Sequence, residues 1–125
     1  MDNNKRGCLA EYRFAVECLK RGYEISMPLL DASIYDCIVD VNGDLKKVQI
    51  KSTTKKPERS EYRRSVHVRL ANNKQAYDLG SVDYFAVYVY EFDGFFIFKN
   101  TGAMQSVRLS PQGKYSDYFN NFAFD

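Results

Sequence analysis

Three polar residues near the middle of the chain have types and spacing suited to phosphodiester hydrolysis. Asp36 lies in the segment IYDCIVDV, and Gln49 and Lys51 lie in LKKVQIKST, where they alternate with Val48 and Ile50. Such hydrolysis needs an activated water and neutralisation of the negative charge that develops on the phosphate, and Mg²⁺ supplies both. Mg²⁺ prefers oxygen ligands, so Asp36 is the obvious direct ligand. A lysine beside it can stabilise negative charge.

An Asn-Gly pair at positions 42–43 indicates how these residues come together. Asn-Gly between two alternating segments is among the strongest signals for a β-hairpin. Counting outward along both strands from a two-residue turn places Asp36 directly opposite Gln49, and paired residues share one face of a sheet. Lys51 shares that face because side chains alternate along a strand. The opposite face is expected to be core: Cys37, Val39, Val48 and Ile50.

A helix predicted upstream of the hairpin carries a fourth polar residue. The segment CLAEYRFAVECLKRG has apolar residues at positions 8, 12, 15, 16 and 19, which is the helical period, and they are expected to face the core. Lys20 and Arg21 suit a helix C terminus, and Gly22 is a natural stop. Glu11 falls at the flank of this apolar stripe, where its carboxylate can reach past the edge of the core.

The remaining segments predict a mixed β-sheet with helices on it, in the α/β class. Strands are expected at YEISM, SVHVRLA, VDYFAVYVYEF, FFIFK and SVRLS, and short helices at ANNKQAYDLG and PQGKYSDYFNNF. The nearly continuous apolar run VDYFAVYVYEF is typical of a strand buried on both faces. A length of 125 residues fits one domain, residues 1–125, with one core.

Basic residues are concentrated in one block. From Lys46 to Arg69 the chain has nine basic and two acidic residues, a local charge of +7, whereas the whole chain has a formal charge of +2. This distribution indicates a polyanionic partner. The alternative is a solvated surface loop, which is the commoner explanation for a run of like charges. The block adjoins the candidate site, so we expect contacts to DNA phosphates from Lys55, Lys56, Arg59, Arg63 and Arg64. His67 and Arg69, outward on a strand, are candidates for groove contacts.

Other kinds of site and location are disfavoured. Cys8, Cys18 and Cys37 have no CxxC spacing and His67 is the only histidine, which argues against a zinc site and against a disulfide framework. An odd cysteine count suits a reducing compartment. No apolar run reaches the ~18 residues of a membrane span, and MDNNKRG has no signal core, so a cytoplasmic protein without membrane contact is expected.

The segments GCLAEYRF, YDCIVD and VQIKS together resemble the PD-(D/E)XK nuclease superfamily over roughly residues 7–90. The chain is most similar to the small homing endonucleases of this fold that bacterial group I introns encode, which also have Gln at the first position of the tripeptide. Their tail is similar to VRLS…KYSDYFNNF. Archaeal Holliday junction resolvases are a looser resemblance. The resemblance implies a restriction-endonuclease-like core with an added C-terminal hairpin and helix.

The resemblance also implies a function. It implies a Mg²⁺-dependent endonuclease, with Mn²⁺ as a possible substitute, that cuts double-stranded DNA at a specific site in a bacterial or phage-infected cell. The side-chain oxygen of Gln49 and the carbonyl of Ile50 would join Asp36 around the metal, and Glu11 would bind directly or through water. Lys51 would orient the attacking water. One site cuts one strand, so a homo-oligomer, dimer or tetramer, is expected.

Three alternatives stay open. The polar cluster could be an ordinary solvated face of a sheet, but such a face would need no acid on a flanking helix. The enzyme could instead be a junction-resolving, structure-specific nuclease. It could also be a DNA-binding module with a decayed site, because Gln49 is neutral where most family members have a carboxylate. Asp31 and Ser33, in the loop before the Asp36 strand, are expected near the site.

Overall fold

The structure is a computed structural model that describes residues 2–30, 32–60, 63–73 and 75–125, and these residues form one long helix and eight strands. The helix is α1 (Asn3–Lys20). The strands are β1 (Glu24–Ser26), β2 (Cys37–Val41), β3 (Asp44–Thr53), β4 (Glu58–Arg59), β5 (Arg64–Arg69), β6 (Tyr84–Val89), β7 (Gly94–Lys99) and β8 (Ser106–Leu109). Two short 3₁₀ helices span Tyr90–Phe92 and Ser116–Tyr118.

The central sheet is mixed and has five strands in the order β1-β2-β3-β6-β7. Only the β3–β6 pair is parallel. Cys37 pairs with Val48 across the β2–β3 hairpin, so the register predicted from the Asn-Gly turn is confirmed. Asn42 (φ 55°) and Gly43 (φ 90°) both occupy the left-handed region that a tight two-residue turn requires.

A second, three-stranded antiparallel sheet, β4-β5-β8, covers one face of the central sheet. We call it the small sheet. Val66 and Val68 of β5 and Val107 and Leu109 of β8 pack there against β6 and β7. The other face of the central sheet packs against α1. All six residues of β6 are buried between these two layers, as its apolar run predicts.

The buried face of α1 is not the predicted one. Ala10, Phe14 and Cys18 are buried, whereas Tyr12 and Val16 are 67% and 53% exposed, as is most of Leu19. The predicted stripe was wrong because Phe14 has a partner that lies far away in the sequence. Its ring packs against Phe95, Phe122 and Phe124, with centroids 5.5–6.5 Å apart, and this aromatic cluster sets the rotation of the helix.

Phe14→Ala is therefore expected to lower the free energy of unfolding by about 3–5 kcal/mol, because it leaves a cavity in the core. Tyr12→Ala, on the same helix, removes an exposed aromatic ring and should change it by less than about 0.5 kcal/mol. Urea denaturation of both variants checks this pair. Equal decreases in the free energy of unfolding for the two variants would contradict the burial of Phe14 and support the helix face predicted from the sequence.

Two predicted short helices do not form. The described residues of 71–80 are irregular, and two of their carbonyls bind elsewhere: Asn100 Nδ2 donates to the carbonyl oxygens of Tyr77 at 2.9 Å and Asp78 at 3.3 Å. The segment 111–122 contains only the 3₁₀ turn, because the backbone N–H of Asn120 donates to the Phe95 carbonyl at 2.6 Å. The C-terminal chain thereby covers the edge strand β7.

No helix among the described residues is long and apolar enough to cross a membrane.

Candidate active site

Asp36 is held against β3 by two backbone hydrogen bonds. Its N–H donates at 2.9 Å to the carbonyl of Val48, the residue that pairs with the neighbouring Cys37. Its Oδ2 accepts the N–H of Ile50 at 2.7 Å. This second bond fixes the carboxylate beside the backbone that links Gln49 to Lys51. The turn at 42–43 thus brings Asp36 to the backbone of β3 between Gln49 and Lys51.

Glu11 reaches the same place from α1. Its carboxyl is close enough to hydrogen-bond with that of Asp36. Burial, the charge of Asp36 and this hydrogen bond raise the pKa of Glu11. Burial also raises the pKa of Asp36, against the opposing effects of the Ile50 N–H, Lys51 and Glu11. Two adjacent half-buried carboxyls resist joint ionisation, and a divalent cation between them would remove that repulsion.

The side-chain oxygen of Gln49 provides the main test of whether a metal fits. Gln49 Oε1 is fully buried and has no hydrogen-bond partner in the part of the chain that the structure describes. A buried amide oxygen without a partner is costly, and native proteins rarely leave one. An oxygen ligand for a hard cation would satisfy it. The donor set therefore fits a Mg²⁺-like ion, with two carboxylates and one amide oxygen.

The described residues hold no group of three or more His, Cys, Asp or Glu side chains that could bind a metal. The candidate site is consistent with this finding because its third side-chain oxygen belongs to an amide. Any ion held there would need additional oxygen ligands, such as a backbone carbonyl, water or the phosphate oxygens of a substrate.

Lys51 lies half-buried on the same strand. Burial lowers the pKa of its ammonium group, and the charge of Asp36 opposes that shift. Its Nζ lies 5.8 Å from the centroid of the Tyr77 ring, within the range of a cation–π contact. The cation therefore lies against an aromatic face and within the electrostatic influence of the Asp36 carboxylate.

Tyr77 is a site residue that sequence reasoning missed. Its ring packs at 6.1 Å from that of Phe85 in β6, and its pKa is raised by burial and by the charge of Asp36. It lies in the segment 71–80, for which a helix was predicted. The only signal in the sequence was an aromatic residue in a mostly polar segment. That signal does not show which part of the protein the Tyr77 ring contacts.

A cavity of about 310 Å³ opens beside the two carboxylates. Glu11, Asp36 and Ser33 line it together with residues of the loop that follows β1. Ser33 thus lies near the site, as expected, whereas Asp31 lies outside the described residues. A second cavity, of about 340 Å³, is lined by Lys51, Lys55, His67 and Arg69, among others. It connects the candidate lysine with the basic block.

The basic residues divide into two groups. Lys55, Lys56, Arg59, Arg63, His67 and Arg69 are exposed, and Lys55 Nζ donates to the His67 carbonyl at 3.1 Å. Arg64 differs because it is half-buried on the inner side of β5. Its guanidinium lies 5.2 Å from the centroid of the Phe92 ring. This packing makes Arg64 the least available of the predicted phosphate contacts.

Comparison with known proteins gives a family match and structural matches, and the two kinds carry different weight. The family model described as PD-(D/E)XK endonuclease matches residues 1–122. A solved structure of a bacterial homing endonuclease, I-Ssp6803I, superimposes with a TM-score of 0.72 and 22% sequence identity, covering 95% of this chain and 89% of that one. At this identity the likeness shows the fold, which is the predicted one. No curated protein sequence matches significantly. Because the family match spans nearly the whole chain, this protein belongs to the PD-(D/E)XK endonuclease family.

Proposed function

We propose that the protein is a Mg²⁺-dependent endonuclease that hydrolyses phosphodiester bonds of double-stranded DNA at a specific site, as a homing-type enzyme does, with Mn²⁺ able to replace Mg²⁺. The observation that carries this proposal is the buried Gln49 Oε1, which has no partner among the described residues, on the strand whose Ile50 N–H binds the carboxylate of Asp36. A solvated sheet face would leave neither a buried amide oxygen without a partner nor two interacting, half-buried carboxyls such as Glu11 and Asp36.

Each residue has a role in this proposal. Asp36, Gln49 Oε1, the Ile50 carbonyl and Glu11, directly or through water, would hold the ion. When bound, Mg²⁺ supplies charge neutralisation at the phosphate and activation of water. Lys51 lies against the Tyr77 ring and within the electrostatic influence of Asp36, and it would orient the attacking water and stabilise charge on the phosphate.

The exposed cations of the basic block would bind the DNA backbone. Lys55, His67 and Arg69 share a cavity with Lys51, so a duplex held there would reach the candidate site. Each chain provides one such site and cuts one strand. We therefore propose that a homo-oligomer, a dimer or a tetramer, makes the double-strand cut.

Gln49→Glu is expected to raise the affinity for Mg²⁺ by about tenfold or more, because it adds a third negative charge to the site. Without metal the extra carboxylate adds repulsion, so the Tm of the variant should respond more strongly to Mg²⁺ than that of the parent. Calorimetric titration and thermal melting measure both effects. Gln112→Glu, at an exposed position, is the matched control. Identical affinities of parent and Gln49→Glu would remove Gln49 from the ligand set.

Cleavage of three substrates in Mg²⁺ tests the proposal: a supercoiled plasmid, a randomised duplex library and a four-way junction. We expect cleavage of a defined subset of the library and none of a junction that lacks the target. Preferential cutting of the junction would identify a structure-specific nuclease. Tight DNA binding with no cleavage in Mg²⁺ or Mn²⁺ would identify a non-catalytic module.

A further inference from the structure

The outer face of the small sheet carries cations that come from a distant part of the sequence. Arg108 of β8 pairs with His67 of β5, and Ser106 pairs with Arg69. The alternate residues of both strands are buried in the core, so these four side chains point away from it. Arg108 therefore extends the exposed row of His67 and Arg69 by one strand.

A cavity of about 470 Å³ lies on this face, and we call it the outer basic cavity. Its lining includes three cations, Arg63, Arg108 and Lys114, and four serines, and it contains no acidic side chain among the described residues. Lys114 follows β8 along the chain, whereas Arg63 precedes β5. The tertiary structure thus combines Arg63 of the basic block with two cations from later in the chain.

Two of these cations are already held in place. Arg108 Nη1 lies 3.3 Å from both Ser65 Oγ and Glu58 Oε2, which keeps the guanidinium against the sheet. The Glu58 carboxylate is 79% exposed, and an ion pair of that kind is weak in water, so an anion could replace it. Arg63 Nη1 lies against Gly113, where an added Cβ would come within 3.1 Å of it. The glycine therefore leaves room for the guanidinium.

We infer that the outer basic cavity binds a backbone phosphate of the DNA duplex, away from the phosphate that is cut; this inference rests on the proposed function. Hydroxyls and cations around a concave surface are the donors that backbone phosphates use. The row Arg69, His67 and Arg108 leads from the cavity that contains Lys51 to the outer basic cavity, so one surface joins both. A duplex bound across the small sheet would contact both cavities.

The salt dependence of binding tests this inference. Affinity for a duplex is measured over a salt series in Ca²⁺, for the parent, for Lys114→Ala and for Arg108→Ala. Loss of one phosphate contact should reduce the slope of log K against log [salt] by about 0.9 for each variant. Lys99→Ala, which removes an exposed lysine of β7, is the matched control and should leave the slope unchanged. Lys114 is exposed, so Lys114→Ala tests the inference even if Arg108→Ala fails to fold.

A methylphosphonate scan locates the contact. One neutral linkage in the duplex should weaken binding by the parent and leave binding by Lys114→Ala unaffected. An unchanged slope in Lys114→Ala, or a change of preferred base in a randomised library at constant slope, would overturn the inference. Cleavage by the parent in Mg²⁺ is scored separately. A parent that shows the salt effect without cutting would refute the proposed nuclease and leave the phosphate site standing.

Discussion

Lys51→Met is expected to slow DNA cleavage by about 10²–10³-fold while the duplex is still bound, which is the typical cost of removing one preorganised group that stabilises transition-state charge. Lys51 is half-buried, and methionine retains most of its apolar stem, so the change removes the cation and little of the packing. The basic residues that would hold the DNA backbone are unchanged. The loss should therefore fall on the chemical step.

Single-turnover cleavage of pre-bound DNA, started by adding Mg²⁺, measures that step directly. Lys46→Met is the matched control because Lys46 lies on the same strand and pairs with Asp44, away from Asp36. It should cut at the parental rate. If Lys51→Met cuts as fast as the parent, Lys51 neither orients the attacking water nor stabilises charge on the phosphate, and the proposed arrangement of the site is wrong.

Asp36→Asn is expected to have the largest effect, a loss of about 10³-fold or more in the cleavage rate. A bound metal supplies several kcal/mol of transition-state stabilisation, and each 1.36 kcal/mol corresponds to a factor of ten. The asparagine oxygen can still accept the N–H of Ile50, so the backbone geometry should be kept while the negative charge is lost. Metal affinity and cleavage should therefore fall together, while DNA binding in the absence of metal is retained.

The thermal stability of this variant separates a site residue from a structural one. Removing one of two adjoining carboxyls relieves their repulsion, so the metal-free Tm of Asp36→Asn should equal or exceed that of the parent. Asp40→Asn is the control on β2, where Asp40 Oδ1 accepts the Gly43 N–H at 2.7 Å in the hairpin turn. It should cut like the parent. Full activity of Asp36→Asn would exclude Asp36 as a metal ligand.

The β2–β3 hairpin could be predicted from the sequence. The hairpin in turn indicated three polar residues of the candidate site, Asp36, Gln49 and Lys51. An Asn-Gly turn favours one register, and the register dictates which side chains share a face, so the pairing of Cys37 with Val48, next to Asp36, followed from the sequence. The continuous apolar run of β6 likewise indicated burial on both faces, because each side chain on such a strand needs an apolar neighbour. These inferences depend only on residues close together in the chain.

Other features depended on contacts between distant segments. Helical periodicity predicted the wrong buried face for α1, because the aromatic cluster of Phe14 with the C-terminal Phe122 and Phe124 sets the rotation of the helix. Asn100 binds the Tyr77 carbonyl where a helix was predicted, and the Tyr77 ring contacts Lys51. Strand pairing placed Arg108 beside His67. Local turn geometry is encoded within a few residues, whereas these placements follow from packing that exists only once the sheets have assembled.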